Sequence, residues 1–189
     1  MSEKGDAIRI QIIDAANRLF YQRGFQATSF ADLARESGVP KGNYYFHFKS
    51  KEALLEAVID ARIERLRNQL DQWTQTINDP KGRLRRAVRM IEEEQGALLM
   101  HGCPIGTLVA ELVKSHPEQK RQVATMLHLI EDWMTTQVSA LTQNHEAAQR
   151  QARSMLARMQ GAATLVAAYE KTDVIPETIS DLDRVIDEL

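Results

Sequence analysis

Cysteine is almost absent from this sequence, and a single residue of that type excludes a disulfide framework within one chain. No N-terminal apolar run marks a signal peptide, and no segment reaches the apolar length needed to span a bilayer. These absences predict a protein of the reducing cytoplasm with no membrane segment. The 189 residues are enough to bury an apolar core without covalent cross-links.

The sequence motifs typical of catalysis are also missing. The chain has no glycine loop that could cradle phosphates, no nucleophile elbow, and no histidine pair at metal-ligand spacing on one helix face. We therefore expect no enzymatic activity, no cofactor and no bound metal.

Apolar residues recur at helical spacing along the whole chain, with no strand candidate, internal repeat or low-complexity tract. Gly24, Gly38, Pro80, Pro104 and Pro117 stand at the breaks between these helical segments. The pattern predicts an all-α fold of about nine helices. One of them is expected to run from Pro80 through Leu98.

Residues 28 to 51 have the features of a helix-turn-helix. Ser29 is placed to cap a helix whose third residue, Asp32, is acidic. Gly38 supplies a left-handed turn, and Pro40 fixes the backbone from which a second short helix starts at Lys41 and ends near residue 46. The alternative is an αα-hairpin with a polar surface and no partner.

This second helix and the residues after it are rich in groups that bind DNA, namely Lys41, Asn43, Tyr44, Tyr45, His47, Lys49 and Lys51. Phe46 and Phe48 are expected to pack in the core. Through Glu52 the chain has eight basic and six acidic residues, and beyond it sixteen basic and twenty acidic ones. A basic head on an acidic body is typical of a DNA-binding module joined to a domain with another role.

The head resembles the TetR/AcrR family of bacterial transcriptional regulators. The matching positions are Thr28, Leu33, Ala34, Gly38, Val39, Lys41, Gly42, Asn43, Tyr45, His47, Phe48, Lys51, Glu52, Ala53 and Leu54. Two positions depart from the family pattern, because Pro40 replaces a small hydroxyl residue and Tyr44 replaces an aliphatic one. The resemblance implies a DNA-binding domain over residues 1–50 and a ligand-binding and dimerisation domain over residues 51–189.

By the same resemblance, residues of the second short helix and its flanks would contact DNA. Lys41, Gly42, Asn43 and Tyr44 lie where the family meets base edges or the adjacent backbone. Tyr45, His47 and Lys51 lie where it binds phosphates. Thr28 and Ser29 begin the preceding helix, where they would bind phosphate or act as caps.

The resemblance also implies an effector cavity in the body, and apolar, adaptable side chains would suit it. The candidate ligand contacts are Met90, Leu98, Cys103, Thr107, Glu111, Met126, Ile130, Trp133, Met134, Met155 and Met159. His128 and Gln160 are further possible polar contacts if they point inward. The alternative is that the apolar members are ordinary core and that Glu111, His128 and Gln160 each lie on a solvated face. Cys103, next to Pro104 at a helix start, is either a reactive sensor thiol or a buried apolar residue of the cavity.

Small residues recur in the segment from 146 to 170, and an apolar stripe follows Pro176. Small side chains allow close helix packing, and such a stripe is unfavourable when exposed to water. The candidate dimer contacts are Leu156, Gly161, Ala163, Ala167, Ile179, Leu182 and Ile186.

These features predict a homodimeric regulator that binds palindromic double-stranded operator DNA and responds to a small effector. In this family the regulator is most often a repressor. Two alternatives remain at this stage: a constitutive DNA-binding protein without an effector, and a small-molecule binding protein without a role on DNA.

Overall fold

Residues 3–189 are described by a computed structural model, and they contain ten α-helices and no strand. The helices are α1 (Glu3–Arg23), α2 (Phe30–Ser37), α3 (Lys41–His47), α4 (Lys51–Thr76), α5 (Pro80–Glu93), α6 (Gln95–His101), α7 (Gly106–Leu112), α8 (Pro117–Thr142), α9 (His145–Tyr169) and α10 (Val174–Glu188). The predicted all-α fold is confirmed. Within this part of the chain, none of the helices is both long and apolar enough to cross a membrane.

The additional helix arises where a single helix was expected between Pro80 and Leu98. Glu94 has φ −95° and ψ 8°, which lies outside the helical region and separates α5 from α6. Gly96 follows in the first turn of α6. Because glycine is a poor helix former, it lowers the stability of one continuous helix through this segment. Gly24, by contrast, ends α1 as expected, with φ +88°.

The first of two compact units comprises the chain up to Glu64 together with Leu108–Val123. In it, α1 packs against α2, and α2 packs against α3. The fully buried side chains at its centre are those of Ile12, Phe25, Leu33, Tyr44, Leu54, Leu55, Val58, Ile59 and Leu112. This unit contains the predicted helix-turn-helix.

The second unit comprises Arg65–Thr107 and Ala124–Leu189. Its core is formed where α10 packs on α5 and α9, and where α6 packs on α9. Leu108–Val123 thus pack with the N-terminal helices. The predicted boundary between residues 50 and 51 separates a DNA-binding from a ligand-binding function, and it stays a prediction.

The apolar stripe of α10 is buried within the chain, so the prediction that it forms a dimer surface is wrong. Ile179, Leu182 and Ile186 all belong to the core of the second unit. The sequence showed that this face must be covered, but an amphipathic pattern does not distinguish a neighbouring helix from a second subunit. Arg89 and Asp183 form an ion pair at 2.7 Å between α5 and α10.

We therefore expect Leu182→Ala to destabilise the single chain. Leu182 is fully buried, and truncation of a buried leucine costs about 2–5 kcal/mol through reduced burial and the cavity left behind. The matched control is Ser180→Ala on the exposed side of the same helix, which should stay within about 0.5 kcal/mol of wild type. Urea unfolding at several protein concentrations measures both, and equal stability of the two variants would show that α10 does not pack as described.

Candidate functional site

The helix-turn-helix begins with a capping box at Ser29. The Asp32 N–H donates to the Ser29 hydroxyl at 3.2 Å, and the Ser29 N–H donates to the Asp32 carboxylate at 3.0 Å. The Ser29 hydroxyl and backbone N–H, with Arg35 one turn away, lower the pKa of Asp32. The predicted cap is confirmed, and it occupies the Ser29 hydroxyl.

The turn between α2 and α3 is made by Gly38, whose φ of +70° lies in the left-handed region. Its N–H donates to the carbonyl of Ala34 and ends α2. Val39 is buried after it, and the Val39 N–H donates to the Ser37 hydroxyl at 3.0 Å. Gly38 therefore has the role predicted for it.

Tyr44 is fully buried, so the prediction that it contacts DNA is wrong. Its hydroxyl hydrogen-bonds the Ser37 hydroxyl at 2.6 Å, and its ring packs against Phe30. Burial raises the pKa of Tyr44, and the bond to Ser37 partly opposes that shift. The sequence held a sign of this burial, because the family pattern has an aliphatic residue at the position of Tyr44.

Thr28 is also buried, and its hydroxyl donates to the Gly24 carbonyl at 2.7 Å. A phosphate contact from this side chain is excluded in this conformation. Thr28 thus closes the loop between α1 and α2, the residues from Gly24 to Ser29.

Lys51 has a different role from the phosphate contact predicted for it. Its ammonium group lies 3.0, 3.3 and 3.1 Å from the carbonyl oxygens of Phe25, Gln26 and Thr28, and 4.4 Å from the centre of the Phe25 ring. An ammonium has three donors, and these carbonyls take all of them. The position of Lys51 in the first turn of α4 did not predict these contacts, because the loop that Lys51 binds lies more than twenty residues earlier in the chain.

Glu111, predicted as a ligand contact or a solvated residue, binds the same loop from α7. Its carboxylate accepts the Phe25 N–H at 3.0 Å and the Gln26 N–H at 2.6 Å. Gly24 lies so close that a Cβ there would stand 3.2 Å from the carboxylate oxygens. Both interpretations of Glu111 are wrong, because it is a structural contact within the first unit.

The remaining DNA-binding candidates on α3 are at least partly accessible. Lys41 and Gly42 are exposed, Tyr45 is 57% exposed, and Asn43 and His47 are half-buried. Lys49 is exposed just after α3. Their contacts with DNA stay predictions.

Phe48 is buried as expected, but the expectation that Phe46 packs in the core is wrong, because Phe46 is 81% exposed. The helical spacing of α3 explains the error. Tyr44 and Phe48 lie one turn apart and take the buried face, which leaves Phe46 on the opposite side.

The second unit contains an apolar cavity of about 120 Å³. Five of the predicted ligand contacts line it: Met90, Leu98, Cys103, Ile130 and Met159. The other lining residues are Leu66, Leu70, Trp73, Ala87, Ile91, Glu94, Pro104, Ile105, Leu156, Gln160 and Ala163. Of these, the sequence predicted Gln160 as a possible polar contact of the ligand. Helical spacing marked the apolar members of this set as candidates for burial without showing which of them border a void.

The other predicted ligand contacts lie elsewhere. Met134 and Met155 are fully buried in the core of the second unit, and Met126 is also buried. Trp133 packs edge-on against Trp73 and donates its indole N–H to Thr74 at 2.9 Å. Thr107 is exposed, and its hydroxyl donates to the Cys103 carbonyl.

Two of the predicted dimer residues, Leu156 and Ala163, are buried at the cavity and so are not on the surface. Gly161 is exposed, with nothing within 4 Å of a Cβ placed on it, and Ala167 is half-buried. Small residues on α9 therefore serve two faces, one toward the cavity and one toward solvent.

Cys103 is a free, half-buried thiol at the cavity. The Gly106 N–H points at its sulfur from 3.4 Å. Among residues 3–189, no three His, Cys, Asp or Glu side chains gather into a group that could hold a metal ion.

The surroundings of two nearby lysines predict opposite roles for them. Lys51→Met should lower the free energy of unfolding by about 2 kcal/mol, because it removes charge-assisted hydrogen bonds to three carbonyls. Lys49→Ala should leave stability unchanged, because Lys49 is exposed, and should lower the slope of log affinity against log salt by about 0.9 for each phosphate that Lys49 neutralises.

Urea unfolding and DNA binding at a series of salt concentrations measure these two effects. A stable Lys51→Met variant with a reduced salt slope would show that Lys51 binds phosphate after all.

Residues 12–58 match the family described as "Bacterial regulatory proteins, tetR family". The chain is 26% identical over 172 residues to an uncharacterized HTH-type transcriptional regulator in the lacX 3'region of Lactococcus lactis subsp. lactis, covering 87% of this chain and 86% of that one. It is 44% identical over 59 residues to the HTH-type transcriptional regulator TtgR of Pseudomonas putida, and this match spans 31% of this chain but only 28% of TtgR.

In fold, the crystal structure of a TetR transcriptional regulator from Chloroflexus aurantiacus J-10-FL is similar with a TM-score of 0.84, at 23% identity over 98% of this chain and 97% of that one. The match of residues 12–58 includes the capping box, the Gly38 turn and α3, and the fold matches over almost the whole chain. Residues 12–58 therefore belong to the TetR family of bacterial regulatory proteins, and the chain has the fold of TetR regulators over almost its whole length.

Proposed function

We propose that this DNA-binding regulator is a homodimeric, cytoplasmic repressor that leaves a palindromic operator when a small, largely apolar or electrophilic effector enters the cavity of its second unit. The observation that supports it best is the cavity itself. It has a volume of about 120 Å³ and is lined almost wholly by apolar atoms, with Cys103, Glu94 and Gln160 as its polar groups. A few polar groups in an apolar cavity are typical of small-molecule sites.

On DNA, α3 would enter the major groove of each half-site. Two α3 helices related by a dimer axis would read half-sites about 34–36 Å apart. Lys41, Tyr45 and Lys49 are the accessible groups for this contact. Phosphate contacts by the lysines would supply the part of the affinity that depends on salt.

The chain offers a direct route from the cavity to the helix-turn-helix. Cys103, Pro104 and Ile105 line the cavity, and α7 begins at the next residue. Glu111, in the last turns of α7, accepts two N–H groups from the loop between α1 and α2. An effector that displaces residues 103–105 would therefore pull on that loop. A coupling of about 1–3 kcal/mol changes operator affinity roughly 5–150-fold, so a small displacement is enough.

Dimerisation would use the exposed face of α9. Gly161, Leu165, Ala168 and Tyr169 are all exposed there, and two of them are large apolar side chains. An isologous contact through this face would bury them in the pattern that a two-fold dimer requires.

Alkylation of Cys103 tests the proposed release without knowledge of the natural effector. Cys103 is the single cysteine, so N-ethylmaleimide should form one thioether, and the adduct should occupy the cavity. We expect the modified protein to bind a duplex selected from random DNA at least about fivefold more weakly than the unmodified protein. Trp73 lines the cavity, so tryptophan fluorescence should change at the same time.

Cys103→Ser treated in the same way is the control, and its affinity and fluorescence should not change. Circular dichroism should show that the adduct leaves the helices intact. Complete alkylation with unchanged operator affinity would mean that the cavity is not coupled to DNA binding, as in a constitutive DNA-binding protein.

Gly161→Arg should give monomers. A Cβ placed on Gly161 has open space around it within the chain, so the fold should tolerate arginine, whereas a helix packed there from a second subunit would not. The control is Gln72→Arg on the exposed side of α4. Sedimentation at micromolar concentration should show wild type and the control as dimers and Gly161→Arg as a folded monomer. A dimeric Gly161→Arg variant would place the interface elsewhere.

A further inference from the structure

Phe46 is the most exposed large apolar side chain among the described residues, at 81%. It lies on α3, one residue before the helix ends, and its ring meets His47 edge-on with 5.1 Å between the ring centres. An exposed phenylalanine adds nothing to the core of the unit. Its apolar surface is available to whatever α3 contacts.

Gly42 lies one helical turn before Phe46, so the two residues share a face of α3. Its backbone is helical and its φ is not in the left-handed region, and no described atom lies within 4 Å of a Cβ placed on it. Neither the conformation nor the packing of the chain therefore requires glycine. Glycine also weakens a helix relative to alanine. Its effect is to leave the backbone of α3 bare one helical turn before Phe46.

The groups around this strip indicate what covers it. Lys41 precedes Gly42, Lys49 follows α3, and both are exposed. Tyr45 is 57% exposed and is supported by Phe30, with 5.2 Å between the ring centres. An exposed apolar ring with an exposed cation on either side of it in the sequence suits a polyanion that carries an apolar group. On the base edges of the major groove, that group is the C5-methyl of thymine.

We propose that Phe46 is a specificity-determining residue that packs its ring on a thymine methyl in each operator half-site, and that the bare backbone at Gly42 lets α3 approach closely enough for this contact. The proposal rests on the proposed function, because it requires α3 to read operator DNA. The proposal adds a preference for thymine at one position of each half-site. A hydrogen-bonding side chain in place of Phe46 would favour a different base there.

Replacement of thymine by deoxyuridine, which lacks only the methyl group, tests this contact. A duplex is selected from random DNA by the wild-type protein, and each thymine is replaced in turn, in both half-sites together. Burial of one methyl group contributes about 0.8 kcal/mol, so wild-type affinity should fall about fourfold per half-site at one symmetric position. Phe46→Ala should bind the thymine and deoxyuridine duplexes equally at that position.

Three further variants separate a methyl contact from a general loss of affinity. Phe46→Leu should keep the preference for thymine, because its side chain is also apolar. Gly42→Ala should lose affinity for the thymine duplex while its melting temperature stays at or above that of wild type. Lys49→Ala should weaken binding to all duplexes alike and leave the deoxyuridine profile unchanged.

Equal wild-type affinity for every deoxyuridine duplex would overturn the proposal and leave operator binding intact. So would a Phe46→Ala variant that keeps the wild-type profile. Failure of the wild-type protein to select any duplex would instead refute the proposed function, and this inference with it. Thermal unfolding of Phe46→Ala should match wild type, since the ring is exposed, so an altered profile cannot be attributed to unfolding.

Discussion

The arrangement of the first unit depends on how the loop between α1 and α2 is held. Glu111 accepts the N–H groups of Phe25 and Gln26, and Lys51 donates to three carbonyls of the same loop. Buried or half-buried backbone groups need such partners, since each one left unpaired costs about 1–3 kcal/mol. One short loop therefore ties α1, α2, α4 and α7 together, with the Phe25 ring buried at its centre.

The contacts of this loop and of the α2 cap determine which polar groups of the helix-turn-helix remain accessible. The Lys51 ammonium is occupied by the loop, and Ser29 and Asp32 are occupied by the cap of α2. The surface that remains on α3 is small and mixed in character, with lysines at its edges and aromatic rings between them. A reading head of this kind obtains affinity from phosphates and selectivity from a few base contacts. Within one basic segment, Lys51 is therefore bound to backbone carbonyls while Lys49 is exposed.

The second unit combines a packed core with a void. Leu182 and Ile186 of α10 complete the core, whereas Leu156, Met159 and Ala163 of α9 border the cavity. The break at Glu94 lies on the cavity wall, so the irregular backbone and the void occur together. Packing that is complete on one side of α9 and incomplete on the other is what a ligand site in a helical body requires.

Features that depend on neighbours a few residues apart could be predicted from the sequence. These include the all-α fold, the capping box at Ser29 and the turn at Gly38, because capping and turn conformation are local. The partner that each face and charge meets became known only from the folded chain. Folding buries Tyr44, exposes Phe46, directs Lys51 and Glu111 to a distant loop, and covers the α10 stripe within the chain. The loop contacts and the α5–α10 ion pair join residues 23 to 94 positions apart, and helical periodicity shows that a face is buried without showing what buries it.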